Sequence, residues 1–504
     1  MTNLSELLPS GGGAKEFSAV ASGTLPNGQA VVMRSDGKIE AVSATGGGPS
    51  MGTAKQYTTG DSQFIRSFYD TNKNKTVVFY QSAPNYHGVM VEVGVSGTTM
   101  TVGTPITFNA GTTYFISCAY DLRGASGLEH GIVVYRNGNQ SNKGYLKPIY
   151  FQANGVLAQG GAQEFCNNTL SSSCEACWVS YVNYFVIAYG KTVSEGRARV
   201  AYGTSQGNIT LGGDVQFNSG DTRAITVEQG KGNPSAAEGY VMVAYREVAS
   251  SYARKARIGL AVANSINFSP GSEYIVDTTY GTEPARLASV DYDNGKVVMA
   301  YTPADTGSNS LGTCRVATIN GYVITFGSTL NFTTSQENYH IWVAPTGTTN
   351  EFALVWGDGN YNTGTGYIIL GNVSGTTISY QGGGLGTRYQ FGSNAQFNNI
   401  VYDSDANAMI ISTKENSGSK PNNVIPFTIA SSNNTDFIGI TAESIANTAT
   451  GKVNPRGGVA APSITLITGS TYYVQNDGSL STTSSSAKAG KAISTTQLIL
   501  TGAS

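Results

Sequence analysis

The sequence predicts an all-β fold, and three observations lead to this prediction. Charged residues make up only 12% of the 504 residues, whereas a helical protein would be rich in Glu, Lys, Ala and Leu. Apolar residues make up 40%, and 29 tyrosines add core material that a disordered chain lacks. A strand-like segment also recurs along the middle of the chain about every 55 residues. Stability must therefore come from packed strands linked by turns rich in Gly, Ser, Thr and Asn.

The recurring segment is a run of β-branched or aliphatic residues that ends in an aromatic side chain. Its six clear copies end at Tyr80, Tyr135, Tyr189, Tyr245, Tyr301 and Trp356. A seventh, weaker copy ends at Ser412. Each repeat has room for about four short strands separated by turn residues. The pattern predicts a seven-bladed β-propeller over residues 49–432, in which the recurring aromatics are inter-blade core rather than a set of sugar-stacking rings.

A second marker predicts how the ring of blades closes. The fourth strand of several repeats carries a Gly followed five residues later by an aromatic residue. The pairs are Gly103 with Phe108, Gly160 with Phe165, Gly212 with Phe217, Gly327 with Phe332 and Gly386 with Phe391. The same spacing occurs before the first repeat, at Gly52 and Tyr57. We therefore expect residues 52–58 to supply the fourth strand of the last blade, because a paired edge resists opening of the ring.

The two ends of the chain, residues 1–48 and 433–504, are similar to each other. Val31 to Ile39 matches Tyr472 to Leu480 in register, and each segment contains an Asp-Gly pair suited to a tight hairpin turn. Because the first and last blades of a ring are neighbours, both ends should emerge close together. The sequence thus predicts a small β module, formed by both termini, into which the propeller is inserted.

The C-terminal segment resembles a known family. The stretches that carry the resemblance are 437–446, 449–453, 468–480 and 489–494. They resemble a C-terminal module of structural proteins of tailed bacteriophages, particularly marine ones, that occurs in tail-fibre and capsid-surface proteins. The resemblance implies a virion component, made in the bacterial host cytoplasm, that forms a homo-oligomer and has other virion proteins as partners. A tail fibre or appendage for host-surface attachment is the first expectation. The alternatives are capsid decoration, a polysaccharide-degrading enzyme on the same scaffold, and a lectin unconnected with a virion.

Charge and hydropathy exclude two classes of partner. Lys+Arg 30 against Asp+Glu 32 leaves a formal charge of -2, so the basic face of a nucleic-acid binder is not expected. The longest apolar runs, such as 184–189, are far shorter than a membrane span, and the N-terminus has no apolar core of a secretory signal. A host-surface glycan remains as an external ligand.

The search for catalytic chemistry favours a non-enzyme without metal or cofactor. Cys174 and Cys177 form a Cys-x-x-Cys pair with Cys118 and Cys166 as further cysteines, and ordinary thiols are favoured over a disulfide or a zinc site. The three histidines, His87, His130 and His340, are isolated in sequence and are expected in surface or turn positions. Acid pairs such as Asp291 and Asp293 have turn chemistry, which is favoured over polysaccharide hydrolysis.

The loops that follow the second strands share one position in the repeat and therefore one face of the ring. Rigid strands that carry variable loops are a common setting for binding sites. The candidate ligand-binding residues on this face are Tyr86, His87, Tyr252, Arg254, Asp358, Asn360 and Tyr361. The alternative is that these are only solvated loops. Since the sequence shows no basic cluster, we expect glycan contacts from neutral polar groups and aromatic rings rather than from charge.

Overall fold

The structure is a computed structural model that divides the chain into two compact units, residues 1–50 with 429–504, and residues 51–428. The described residues are 16–33, 37–42, 44–45, 49–96, 99–122, 130–205, 207–233, 238–250, 252–262, 264–269, 271–278, 284–303, 311–334, 338–359, 364–415, 422–429, 431–432, 437–475, 478–483, 485 and 487–501. Over these ranges the regular elements are strands and two short 3-10 turns, Gly138–Gln140 and Val248–Ser250. The all-β prediction is confirmed, and no helix in these ranges could span a membrane.

The strands are numbered in chain order. The amino-terminal segment contains β1 (Phe17–Val20), β2 (Ala30–Met33), β3 (Ile39–Ala41) and β4 (Ala44–Thr45). The first part of the repeat region contains β5 (Ser50–Met51), β6 (Lys55–Thr58), β7 (Ser62–Asp70), β8 (Lys75–Ser82), β9 (His87–Ser96), β10 (Thr99–Val102), β11 (Ile106–Tyr120), β12 (Gly131–Asn137), β13 (Lys143–Phe151), β14 (Leu157–Gln159), β15 (Gln163–Cys166), β16 (Leu170–Val179), β17 (Tyr184–Lys191), β18 (Glu195–Ser205) and β19 (Asn208–Asn218).

The second part of the repeat region contains β20 (Thr222–Asn233), β21 (Glu238–Glu247), β22 (Arg254–Val262), β23 (Ser265–Asn267), β24 (Tyr274–Asp277), β25 (Arg286–Asp291), β26 (Lys296–Tyr301), β27 (Thr313–Asn320), β28 (Val323–Phe326), β29 (Leu330–Asn331), β30 (Asn338–Pro345), β31 (Glu351–Asp358), β32 (Thr365–Ser374), β33 (Thr377–Tyr380), β34 (Tyr389–Gly392), β35 (Ala395–Asp403), β36 (Ala408–Glu415) and β37 (Asn422–Thr428). The carboxy-terminal segment contains β38 (Ser431–Ser432), β39 (Phe437–Thr441), β40 (Thr450–Pro455), β41 (Val459–Ala460), β42 (Thr471–Val474), β43 (Leu480–Ser481), β44 (Ala487–Ala492) and β45 (Leu498–Leu500).

The repeat region consists of antiparallel sheets in which consecutive strands pair side by side. Three strands of each repeat form a meander, and the fourth position is one continuous strand (β19), two short strands, or a strand that continues into the next repeat. The sheets contain β7 to β15, β16 to β19, β20 to β24, β25 to β29, β30 to β34, and β35 to β37 with β5 and β6. The segment expected to close the ring contains β6, and β6 pairs with β37 through Thr58 opposite Asn422 and Lys55 opposite Val424.

Aromatic pairs fill the interfaces between repeats. The aromatic residue of one repeat's fourth strand packs on the aromatic residue that ends the next repeat's second strand. The ring-centroid distances are 5.3 Å for Phe108 and Tyr135, 5.1 Å for Phe165 and Tyr189, 5.2 Å for Phe217 and Tyr245, and 5.2 Å for Phe332 and Trp356. All six second-strand aromatics are buried, which confirms that they are core residues.

The same contact joins the beginning and the end of the repeat region. Tyr57 on β6, which is paired to the last repeat, lies 5.2 Å from Tyr80 on the second strand of the first repeat. The Phe64 ring of the first repeat also lies 6.3 Å from Phe397 of the last. The first and last repeats are therefore neighbours in space.

Arginines add a second contact of the same kind between repeats. Arg199, Arg257 and Arg315 occupy one register position in the third strands of successive repeats. Each guanidinium donates to a carbonyl oxygen of the preceding repeat: that of Phe165 at 2.8 Å, of Phe217 at 2.6 Å and of Val276 at 3.1 Å. These bonds satisfy carbonyl groups at the end of each preceding sheet.

In the other unit, strands from both ends of the chain share one sheet. Its order is β1-β40-β39-β2-β3, so two adjacent carboxy-terminal strands lie between β1 and the β2–β3 hairpin. A second sheet has the order β41-β45-β44-β42-β43. The two matched hairpins are β2–β3 and β42–β43, and their turn glycines, Gly37 and Gly478, both have a φ of 79°, which a side-chain-bearing residue rarely adopts. Asp36 and Asp477 of these turns lie outside the described residues.

Candidate functional site

Six of the first strands contain a bulge near their start, whereas the register of β25 slips at its far end, between Ser289 and Asp291. The register slips between Gln63 and Arg66 in β7, and slips at equivalent places occur in β11, β16, β20, β30 and β35. At five of these bulges a residue other than Gly has a left-handed backbone: Phe64 (φ 53°), Phe115 (φ 51°), Ala224 (φ 48°), His340 (φ 54°) and Phe397 (φ 51°). Such conformations cost about 1–3 kcal/mol each and cluster at functional sites.

All five left-handed residues line one cavity of about 390 Å³. The remaining lining residues are Arg66, Ile116, Ser171, Ser172, Ser173, Cys174, Glu175, Arg223, Ile225, Arg246, Pro284, Arg286, Ile341 and Asn398. They come from the first strands of successive repeats, except Arg246, which lies next to the end of a second strand, β21, and Pro284, which lies just before β25. Because each bulge turns a side chain toward the same space, the repeats build the site together.

The wall of the cavity has an aromatic half and a polar half. Phe115, Phe64, Phe397 and His340 follow one another around the aromatic half, with ring-centroid distances of 5.5, 6.3 and 4.8 Å. The polar half contains the three serines 171–173 together with Arg223 and Arg246. A ligand with one apolar face and one polar edge fits such a lining.

The floor of the cavity is a buried ionic cluster built from one register position of the first strands. Residues at this position pair with the residue just before each second-strand aromatic: Arg66, Ser117, Glu175, Thr226, Arg286 and Trp342. Glu175 Oε2 lies 3.5 Å from the Arg286 guanidinium and Glu175 Oε1 lies 3.9 Å from that of Arg66. The Ser117 hydroxyl donates to Glu175 Oε1 at 3.0 Å. Both guanidiniums lie 4.3 Å from the Trp342 ring centre.

The electrostatic setting of the cavity is positive. Its lining holds four arginines, Arg66, Arg223, Arg246 and Arg286, against one carboxylate, Glu175. Asp221 at the rim pairs with Arg223 at 2.8 Å, and cations still outnumber anions when it is counted. Burial, together with the charges of Arg286, Lys414 and Arg66, lowers the pKa of His340 to about 3. His340 is therefore neutral at pH 7 and acts as part of the aromatic wall.

The predicted loop face and the cavity lie at the same edge of the sheets. The start of each first strand pairs with the end of the second strand, as in Ser62 with Ser82, Thr222 with Glu247, and Asn338 with Asp358. The loops chosen from the sequence leave from these second-strand ends. They therefore surround the side on which the bulges open.

The structure gives the predicted loop residues different environments. Tyr86 is 47% exposed, and His87 is partly buried at the start of β9. Tyr252 lies under Arg246, with 4.9 Å between the guanidinium carbon and the ring centre, and so adjoins the cavity wall. Asn360 and Tyr361 lie outside the described residues.

The two charged candidates are engaged in contacts within the repeats. Arg254 is only 2% exposed, donates to the Pro303 carbonyl at 3.1 Å and lies 3.6 Å from Asp277. Asp358 lies 3.6 Å from Arg388, and burial raises its pKa above the ordinary value despite that charge. Arg254 thus lies in the packed part of its repeat rather than at the surface of a loop.

Two expectations about reactive side chains can be compared with the structure. His130 is fully buried just before β12, with its ring 5.8 Å from Phe185, and His340 lies in β30 and lines the cavity, so a surface position is wrong for His130 and neither alternative holds for His340. All five cysteines are free thiols, and burial raises the pKa of Cys118 and Cys174 above the usual range. Among the described residues, no group of three or more His, Cys, Asp or Glu has a metal-binding arrangement.

Sequence reasoning missed the arginines of the cavity, and with them the basic cluster. Arg66, Arg223, Arg246 and Arg286 lie far apart in the chain, so no run of basic residues marks them. A comparison of the repeats at the position of Arg66 would have found Glu175 and Arg286, since these lie in the same register.

Comparisons with known proteins give a likeness of fold. No family model and no curated protein matches the chain. Among solved structures, AofleA from Arthrobotrys oligospora has 10% identity and a TM-score of 0.41, with 73% of this chain and 97% of that chain covered. The NanB sialidase from Streptococcus pneumoniae has 8% identity and a TM-score of 0.43, with 77% and 70% covered. The six-bladed β-propeller lectin of Aleuria aurantia has 11% identity and a TM-score of 0.37, with 63% and 96% covered. The chain is thus all-β with propeller-like structural neighbours.

Proposed function

We propose that the chain is a non-enzymatic structural protein of a bacteriophage particle, in which a seven-bladed propeller binds host-surface glycans. In this proposal the propeller is inserted into a module formed by both termini, which anchors it to other virion proteins. The cavity with an aromatic half and a polar half is the observation that carries the binding role. The virion role rests on the resemblance of residues 437–494 to phage structural proteins.

The count of seven blades is supported by the course of β11. Residues 106–112 of this strand pair with β9, whereas residues 113–120 pair with β12. The strand is therefore the outer strand of one repeat and the inner strand of the next, and the sheet from β7 to β15 counts as two blades. The other five sheets of the repeat region count as one blade each. The contact between Tyr57 and Tyr80 supports closure between the seventh blade and the first.

Binding is favoured over hydrolysis because the cavity lining lacks a pair of acids. Glycoside hydrolysis by the usual route needs two carboxyl groups that flank the bond to be broken. Glu175 is the one carboxylate among the described lining residues, and it is held by two arginines and a serine. Such a carboxylate is well placed to orient arginines and poorly placed to donate a proton.

A tail fibre or appendage that works as a homo-oligomer accounts best for a displayed glycan site. Purified particles should contain this chain, and labelling should locate it at the tail. A chain truncated to residues 49–432 should fold and bind host cells but fail to join particles. Particles that incorporate it as well as the full chain would contradict the anchor role. Intact particles whose adsorption does not depend on the propeller would favour capsid decoration instead.

A further inference from the structure

The lining of the 390 Å³ cavity contains buried polar atoms that have no hydrogen-bond partner among the described residues. Asn398 is 2% exposed and accepts a hydrogen bond from the Thr413 hydroxyl at 2.7 Å, whereas its Nδ2 has no hydrogen-bond partner among the described residues. The hydroxyl oxygen of Ser171, across the cavity wall, is also buried without a partner in the described structure. Burying such groups without a hydrogen bond is unfavourable, because each loses its bonds to water. Atoms of this kind in a cavity indicate a polar ligand.

We infer that the cavity binds an acidic saccharide unit, with the sugar ring against the aromatic half and the acid group beside Arg223 and Arg246. This inference rests on the proposed glycan-binding function and adds the class of glycan. The excess of arginines over carboxylates in the lining favours an anion, and the arginine fork matches a carboxylate or sulfate in two parallel hydrogen bonds.

The two arginine pairs in the cavity have different roles in this arrangement. Arg66 and Arg286 share the single carboxylate of Glu175 and stack on Trp342, so they belong to the floor. Arg223 is 42% exposed at its side chain and contacts Asp221 at the rim, where a ligand acid group can share it. Arg246 is held over Tyr252 between the wall and the loop. The acid group is thus expected at the polar rim rather than at the floor.

The aromatic half supplies a surface for the less polar face of a sugar. The edges and faces of Phe64, Phe115 and Phe397 form a continuous surface opposite the serines and arginines. The volume of about 390 Å³ lies near the lower end of small-molecule sites, which span roughly 300 to 1,000 Å³. One or two sugar rings therefore fit, which suits a terminal or branch residue of a surface polysaccharide.

The test compares two disaccharides that differ only in their acid groups. Titration calorimetry on the full chain should show that α-1,4-digalacturonate binds at least about tenfold more tightly than α-1,4-galactobiose, since a hydrogen-bonded charge pair contributes at least that much. Arg223→Gln should remove most of the difference and leave galactobiose binding unchanged. Asn398→Ala should weaken both sugars. Arg197→Gln, the same change at an arginine outside the cavity lining that pairs with Glu195 at 3.0 Å, is the matched control. Melting temperatures of all variants separate lost binding from lost folding.

Each outcome bears on a different part of the idea. Equal affinities for the two disaccharides, or a preference that persists in Arg223→Gln, would overturn the acidic-ligand inference and leave the glycan-binding function intact. Failure of both sugars to bind, together with normal host adsorption by particles whose Asn398 and Arg223 are replaced, would overturn the cavity as a glycan site and with it the proposed function. Salt provides a further check, because an anion held at a partly exposed arginine should bind less tightly as ionic strength rises.

Discussion

The interfaces between repeats and the cavity at their centre are built from different strands of the same repeats and differ in how far their residues repeat. At the interfaces the same residue types return about every 55 residues, as in the pairs Phe165–Tyr189 and Phe217–Tyr245. In the cavity the residue type at one register position varies from repeat to repeat, as Arg66, Glu175 and Trp342 show. Residues that recur in every repeat therefore serve packing between repeats, whereas residues that differ between repeats form the single cavity.

The largest expected effect concerns the interfaces. Tyr57→Ala removes the ring that packs on Tyr80 between the last and first repeats, and Phe217→Ala removes its counterpart on Tyr245. Loss of a large buried aromatic costs about 3–5 kcal/mol, so both variants should lower the free energy of unfolding by a similar amount. Chemical denaturation measures the two losses. If Tyr57→Ala lowered the free energy of unfolding much less than Phe217→Ala, the contact between the first and last repeats would stabilise the fold less than the other interfaces do.

A somewhat smaller effect is expected at the cavity floor. Glu175→Gln removes the negative charge between Arg66 and Arg286, whose side chains are 14% and 13% exposed. Breaking a buried pair in this way costs about 3 kcal/mol, the low end of the usual range. Glu195→Gln, which touches an ion pair with Arg197 nearer the surface, should cost less than about 1 kcal/mol. Equal losses in the two variants would mean that the floor is no more tightly coupled than a surface pair.

The third prediction concerns pH and Glu228, on the first strand of the fourth repeat. Burial, and to a smaller extent the charge of Glu175, raises the pKa of Glu228 from its ordinary 4.5 to about 8. The folded state then holds a proton that the unfolded state releases above pH 4.5, so this contribution to stability is complete below that pH and is lost as pH rises toward 8. Melting temperature should fall between pH 5 and 8, and Glu228→Gln should flatten that fall. An equally steep fall in the variant would assign it to other groups.

The smallest effect on stability is expected from the loops. Replacing Tyr252 and Tyr361, which the sequence predicts on the loop face, together with Ala should change the free energy of unfolding by about 0.5 kcal/mol or less, the usual range for loop substitutions. Adsorption to host cells should weaken by an amount on the order of 1 kcal/mol if these rings contact the glycan. Unchanged adsorption with intact particles would leave recognition to the cavity alone.

The sequence by itself determined the all-β class, the repeat and its buried aromatic residues, because packing between repeats needs the same side chain at the same place each time. The spacing of Gly52 and Tyr57 also pointed to the segment that now lies against the last repeat. Composition showed a chain whose positive and negative charges almost balance. The lining of the cavity does not share this balance, because it holds four arginines and one carboxylate.

Only the tertiary structure decided where the charges meet and which side chains face the ligand space. Arg66, Glu175 and Arg286 are more than 100 residues apart and become neighbours because the repeats turn their first strands toward one axis. The bulges at Phe64 and Phe397 determine which side chain enters the cavity. Strand lengths predicted from the sequence do not show where such a one-residue slip in register occurs. Arg254 shows the converse, since the sequence predicts a loop residue whereas the structure buries it against Asp277 on a paired strand of its own repeat and Pro303 of the next repeat.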